Sequence, residues 1–223
     1  MKSIVHFIFF FIILVQLNSC LTTMQPLVTD ENIITDDRVT GTWIDSGREI
    51  TVQKFFNSKF YQSVKSDMRL SVADSLFLMK YYIANYTQSD LEYWWAFGLM
   101  RINKQVYLNL FALKCTDNEN NEVYFPYGGR ALETYSIAKL EWKGNDLISV
   151  HFLNGDWIKK MILAGNIRIK YEYDPLFGSF AITASSEELE QFLQKYGNDK
   201  RIYSDEYTRT ITRKDKLYVT KNN

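Results

Sequence analysis

The run EYWWAFGLMRINKQVYLNLFALKC, Glu92 to Cys115, decides the fold class. Residues 92–102 and 105–115 are two apolar, aromatic stretches separated only by Asn103-Lys104. A two-residue connection between strand-favouring runs signals a β-hairpin. Successive strand residues point to opposite faces. Trp94 and Trp95 therefore cannot share a face: one belongs to an interior and the other lies outside it. Gly98, in mid-strand, marks a bulge or a close approach by another part of the chain.

Working outward, the same pattern recurs. Residues 49–56 (EITVQKFF) and 59–64 (KFYQSV) flank Asn57-Ser58 and read as a second hairpin. Residues 76–85 (LFLMKYYIAN) suit a strand or a buried helix, and the β-favouring residues near the end favour the strand. Residues 136–142 and 147–153 enclose Lys143-Gly144-Asn145-Asp146, a further hairpin. Asn154-Gly155-Asp156 then opens a helix through Ala164, with Trp157, Ile158, Met161 and Ile162 on one face and Gly165-Asn166 as its stop. Residues 167–173 (IRIKYEY) alternate as a strand, and 179–183 form a short one. Ser185 and Glu188 make a capping box for a helix that buries Leu189, Phe192 and Leu193 and ends at Gly197. Residues 207–213 give a last strand, while residues 116–122 and Pro126-Tyr127-Gly128-Gly129-Arg130 read as loop and turn.

Composition agrees with a strand-rich chain. There are 15 Tyr, 15 Phe and 5 Trp against 3 Pro, and large aromatic side chains suit broad, half-buried strand faces. The 26 basic and 26 acidic residues balance, which leaves no electrostatic case for nucleic acid. From Thr40 onward the chain is long enough for one domain with a substantial core.

Gly41-Thr42-Trp43 precedes this series of strands. A G-x-W at the start of a strand-rich secreted chain resembles the first strand of a lipocalin-like barrel, and the resemblance implies a tryptophan plugging the closed end. The fold expected is mainly β: an antiparallel, lipocalin-like β-barrel of about 8–10 strands, with two short helices near the C-terminal half. The order G-x-W, meandering strands, YLNLF, a Trp-centred helix, then ITASSEELEQFLQKYGND resembles a group of uncharacterised, Bacteroidetes-like envelope lipoproteins. That resemblance covers residues 40–213 and implies a barrel-like domain, with no activity and no site residues to carry over.

The N-terminus, MKSIVHFIFFFIILVQLNSC, places this domain in a compartment. Lys2 and the short apolar run Ile4 to Val15 read as a secretory leader rather than a membrane span. Leu17-Asn18-Ser19-Cys20 resembles a bacterial lipobox, which implies cleavage before Cys20 and acylation of Cys20 with palmitate-type chains. A plain signal peptide with an incidental cysteine is the alternative. Several acyl chains anchor stably where one is marginal. The expected organisation is a leader at 1–19, the lipidated cysteine and a flexible tether at 20–39, and one barrel-like domain at 40–223. Leu21-Thr22-Thr23-Met24 lacks the acidic residues of a surface-export signal, so the outer membrane facing the periplasm is the expected location.

The residue types of catalysis are sparse. With Cys20 lipidated, Cys115 is the remaining cysteine and has no disulfide partner in the chain; it closes an apolar run and reads as a buried small hydrophobe. His151 is the one histidine after the leader, and no G-x-S-x-G elbow accompanies it. The loop from Asp117 to Glu122 has oxygen ligands but lacks the glycine and final acid of a calcium loop. Gly128-Gly129-Arg130 lacks the lysine and helix of a phosphate loop. Glu133, Glu141, Asp146 and Asp156 are carboxylates that a glycosidase would need in pairs. No metal, cofactor or catalytic residue is expected.

The aromatic residues are the strongest remaining signal. Trp43, Tyr82, Trp94, Trp95 and Tyr107 are the candidate ligand-binding residues. The expected function is a lipid-anchored, non-enzymatic envelope protein that binds a small apolar or amphipathic ligand. A structural lipoprotein docking on another envelope protein through an aromatic face is the alternative.

Overall fold

The computed structural model describes residues 21–117, 119, 121 and 134–217. Cys20 with the leader, residues 126–130 and Glu133 lie outside them. In chain order the elements are β1 (Thr22–Thr23), β2 (Ile33–Ile34), β3 (Gly41–Asp45), β4 (Arg48–Lys54), α1 (Lys59–Val64), α2 (Val72–Leu78), β5 (Tyr82–Gln88), β6 (Leu91–Ile102), β7 (Gln105–Thr116), β8 (Tyr135–Trp142), β9 (Leu147–Leu153), α3 (Gly155–Leu163), β10 (Tyr171–Tyr173), β11 (Phe180–Ile182), α4 (Ser186–Tyr196), β12 (Tyr203–Arg213) and α5 (Lys214–Leu217).

The central hairpin is β6–β7, two strands of 12 residues each. Asn103 and Lys104 both have positive φ, 48° and 70°, the conformation a two-residue turn needs to match the strand twist. Between the pairs Trp94↔Lys114 and Trp95↔Ala112 the register slips by one, so Leu113 is an extra residue that bends β7.

From this hairpin antiparallel pairing runs both ways, through β5, β4, β3 and β12 on one side and β8 and β9 on the other. β12 pairs with both β3 and β9, and β8 pairs with β9. The result is a closed, antiparallel eight-strand barrel with few, short helices. Closure pairs the edges that an open sheet would leave exposed.

Strand alternation sorts the apolar residues into two clusters. One contains Trp43, Val52, Tyr82, Phe97, Leu99, Leu108, Ala138, Leu140, Ile148 and Val150, with Ile211 packed against it. It draws on all eight barrel strands and is therefore the interior. The other contains Ile83, Trp94, Ala96, Met100, Tyr107 and Ile137 with residues of the N-terminal segment, α3 and α4. This is the barrel's outer face and what covers it.

Residues 21–39, expected as a flexible tether, are packed instead. Leu21, Leu27, Val28, Ile33 and Val39 are buried. β1 joins the start of β8, and β2 pairs with β6 at Leu99 and Met100, where β5 has already ended. The Asn109 Oδ1 atom accepts the N–H groups of Leu27 (2.9 Å) and Val28 (3.2 Å), so this extended backbone is satisfied where it is buried. Gly98 lets it approach closely: a Cβ there would lie 3.0 Å from Val28 Cγ1.

Three local expectations are corrected. Lys59–Val64 is a helix, because Ser58 caps it by accepting the Tyr61 N–H. The run at 76–85 divides: Leu76 to Leu78 end α2, whose capping box is Ser71 with Asp74, and the strand begins at Tyr82. Of residues 167–173, Tyr171–Tyr173 pair as a strand, while Ile167 and Ile169 pack on the outer cluster. The capping box of Ser185 and Glu188 and the helix Ser186–Tyr196 stand as expected.

Candidate functional site

The barrel is shut at one end. Trp43 is wholly buried, and its indole N–H donates to the Val39 carbonyl at 2.8 Å. The Tyr82 hydroxyl accepts the Asp36 N–H at 2.8 Å. The Arg213 guanidinium lies 4.3 Å from the Trp43 ring centroid and donates to the carbonyls of Thr40 and Arg38. Arg38 in turn lies 4.4 Å from the Trp142 ring. Segment 34–40 thus crosses this end and is stapled to the interior by hydrogen bonds and cation–π contacts.

Toward the opposite end the inward-facing positions become exposed. Tyr82 and Phe97, opposite each other and stacked at 5.2 Å, are buried. One step up, Ala84 and Trp95 are half-buried, and beyond them Tyr86 stacks on Tyr93 at 5.0 Å, also half-buried. On β7, Leu108 is buried, Leu110 half-buried and Ala112 exposed. Ser136 and Phe152 are half-buried at the matching height on β8 and β9. Ala84 and Ala112 flank Trp95 on both sides, so the widest aromatic face stands between the two smallest neighbours.

Charged groups edge this end. Asp45 is 6 % exposed and holds Arg48 Nη2 at 2.7 Å. Arg48 also donates to Gln88 Oε1 at 2.7 Å and lies 5.8 Å from the Tyr86 ring. β3 stops at Asp45 while β12 continues past it, so Arg209, inward by alternation with Ile211, stands exposed at the rim. Burial pushes the Tyr86 hydroxyl pKa up, seconded by Tyr93 and opposed by Arg48 and the Trp95 N–H. Tyr86 therefore stays a neutral phenol at physiological pH. Burial likewise pushes the Cys115 thiol up, so the thiol beside Tyr93 is protonated and unreactive.

Among the five expected ligand-binding residues, the structure brings Trp43, Tyr82 and Trp95 to the interior, with Trp95 nearest the open end. Trp94 and Tyr107 face outward, 5 % and 0 % exposed. Trp94 packs on Phe60 of α1. The Tyr107 hydroxyl bonds to Gln105 at 2.5 Å and to Tyr203 at 3.2 Å. The sequence reading did not single out Asp45, Arg48, Leu110, Ala112, Phe152 or Arg209. Counting in twos from Trp43 reaches Asp45, and from Ile211 reaches Arg209 and Arg213, so period two was the signal that could have found them.

The other candidates do not converge. His151 is half-buried on the outer face, with Nδ1 3.1 Å from Thr208 Oγ1 and Nε2 3.5 Å from the Glu141 carboxylate. Lys139 and Lys143 also reach Glu141. Asp146 meets Arg213 at 3.4 Å, and Asp156 is exposed in the first turn of α3. The Asp117 carboxylate accepts from Glu119 and Asn121. Among the described residues no group of three or more His, Cys, Asp or Glu could hold a metal ion, and no helix is long and apolar enough to cross a membrane.

No protein-family model, curated protein or solved structure matches this chain. The arrangement itself is therefore the guide: a barrel stoppered at one end, with an aromatic and aliphatic throat and a charged rim at the other.

Proposed function

We propose that this is a non-enzymatic envelope lipoprotein, anchored through acyl chains on Cys20, that holds a small amphipathic ligand in the open half of its barrel. The observation that carries the binding reading is the graded exposure of the interior, from wholly buried Trp43 to half-buried Trp95 and exposed Ala112. Half-buried Ala84, Trp95 and Leu110 offer apolar and aromatic surface that a ligand could cover. An apolar body would lie against Trp95, Leu110 and Phe152. A polar or anionic head would lie by Arg209, whose Nη1 donates to the backbone carbonyls of Glu206 and Thr208. The leader's resemblance to a lipobox supports the anchor, and the lipocalin-like plug at Trp43 supports a cup-shaped binder.

Docking on another envelope protein through an aromatic face is the second reading. Its natural surface, around Trp94 and Tyr107, is covered by the protein's own chain. Among the described residues, the exposed apolar side chains left to it are Val72, Leu76 and Met79 in and just after α2, Leu163 at the end of α3, and the β10–β11 hairpin with Tyr171, Tyr173, Leu176 and Phe177.

Titration with a fluorescent fatty-acid analogue tests the pocket. Saturable binding that Ala112→Phe abolishes and Trp94→Phe leaves intact supports it; no saturable binding to the unmodified chain counts against it. Incorporation of labelled palmitate, lost in Cys20→Ser, tests the anchor separately.

A further inference from the structure

Leu176 and Phe177 are each 82 % exposed, and they sit together at the tip of the β10–β11 hairpin. The tip is an ordered turn. Asp174 Oδ1 accepts the N–H groups of Leu176 (2.8 Å) and Phe177 (3.3 Å). The Asp174 N–H donates to the Ser179 carbonyl at 3.0 Å, and Lys159 Nζ donates to the Gly178 carbonyl at 3.0 Å. Behind the two apolar side chains come Tyr171 and Tyr173, each 37 % exposed, with Lys159 Nζ 4.6 Å from the Tyr173 ring centroid. An exposed apolar tip with tyrosines and a lysine close beside it has the composition of a membrane-interface contact: apolar side chains for the hydrocarbon, with amphipathic rings and a cation for the polar interface and its phosphates.

The point where the chain enters the fold gives a second, independent reason. β1 runs parallel to β11 with Thr23 beside Ile182, and the Met24 N–H donates to the Ile182 carbonyl. Continuing that register sets Leu21 beside Phe180, at the end of β11 that leads back to the tip. Leu21 is 5 % exposed, so no slack chain separates residue 20 from the sheet. Adjacent strands are about 5 Å apart and residues about 3.3 Å apart along them, so an anchor at residue 20 would enter its bilayer beside this hairpin.

We propose that the Leu176-Phe177 tip inserts into the hydrocarbon edge of a phospholipid bilayer, a second membrane contact beside the acylated Cys20. The second reason, though not the first, rests on the lipoprotein reading above. Two contacts on one side would fix the barrel's orientation on the membrane, where an acyl anchor alone would let it swivel.

The test uses the full chain reconstituted into vesicles of phosphatidylethanolamine and phosphatidylglycerol containing a phospholipid with a photoreactive group in its tail. Cross-links are mapped by peptide mass spectrometry, which also reads the mass of the Cys20 peptide. The expected result is lipid adducts on the peptide carrying Leu176 and Phe177, several-fold above those on the peptide carrying Val72, Leu76 and Met79, and lost in the double variant Leu176→Ser, Phe177→Ser. Those side chains are exposed, so the double variant should keep its native circular dichroism. Adducts at the tip no more abundant than on α2 would overturn the proposal. An unmodified Cys20 would refute the lipoprotein reading alone. The same cross-links, with the chain mixed with preformed vesicles, would still decide for or against the tip.

Discussion

Trp43 and Trp95 share the barrel interior but not an environment, and their substitutions should separate stability from binding. Trp43 is wholly buried and contacts Val39, Trp142 and Arg213. Trp43→Ala leaves a cavity and an uncovered guanidinium, and should cost about 3–5 kcal/mol, read from the midpoint of urea unfolding. Trp95→Ala removes a half-buried side chain and should cost well under half of that, while abolishing retention of the fluorescent ligand. Gly98→Ala is a third residue-scale case. Its Cβ would press on Val28 Cγ1 at 3.0 Å and on the Tyr81 ring at 3.3 Å, so a loss of about 1–3 kcal/mol is expected. His151 supplies a pH dependence. Burial lowers its pKa from the usual 6.5, partly opposed by Glu141. The unfolded chain then takes up the proton first, so stability is full above 6.5 and falls as pH drops through the folded value. Glu141, held below 4.5 chiefly by its hydrogen bond from Lys139, adds a loss of the same sign at lower pH. His151→Asn should flatten the upper step and leave the lower one, measured as unfolding midpoints along a pH series.

At the scale of elements, the N-terminal segment behaves as part of the outer core. Asn109→Ala would strip the acceptor from two buried N–H groups, Leu27 and Val28, at about 1–3 kcal/mol for each group left unsatisfied. Hydrogen exchange should show residues 21–34 losing protection well before the barrel strands; equal loss throughout would mean the segment is not a separable layer. This layer was illegible from local sequence. Leu27, Val28 and Ile33 lie among polar residues at no regular period, and what buries them is the wide apolar face of β6 and β7, remote in the chain. The long hairpin was legible because both strands and the turn speak within one window. Lys59–Val64 misled because Phe60 and Tyr61 favour strands, while Ser58 and the Ser71–Asp74 box, the signals that decided, were written in the sequence. Alternation at 167–173 was genuine, yet Ile167 and Ile169 spend it on burial rather than pairing. The candidate site was legible in part: opposite faces for Trp94 and Trp95 follow from period two, but which of them faces inward depends on closure of the barrel.

At the scale of the whole molecule, closure gives the interior two ends with different chemistry. Cation–π contacts and backbone hydrogen bonds from segment 34–40 shut the end at Trp43. At the other end Ala84, Trp95 and Ala112 are half-buried or exposed, with Arg48 and Arg209 at the edge. The central claim is that this end is occupied in the cell. Native mass spectrometry of the chain, released gently from a bacterial envelope, tests it most directly. The expected result is a reproducible non-covalent adduct, on the order of a few hundred daltons as suits a pocket of ligand size, absent in Trp95→Ala and Ala112→Phe and retained in Trp94→Phe. A bare chain mass in every preparation, or an adduct indifferent to Trp95 and Ala112, would contradict it.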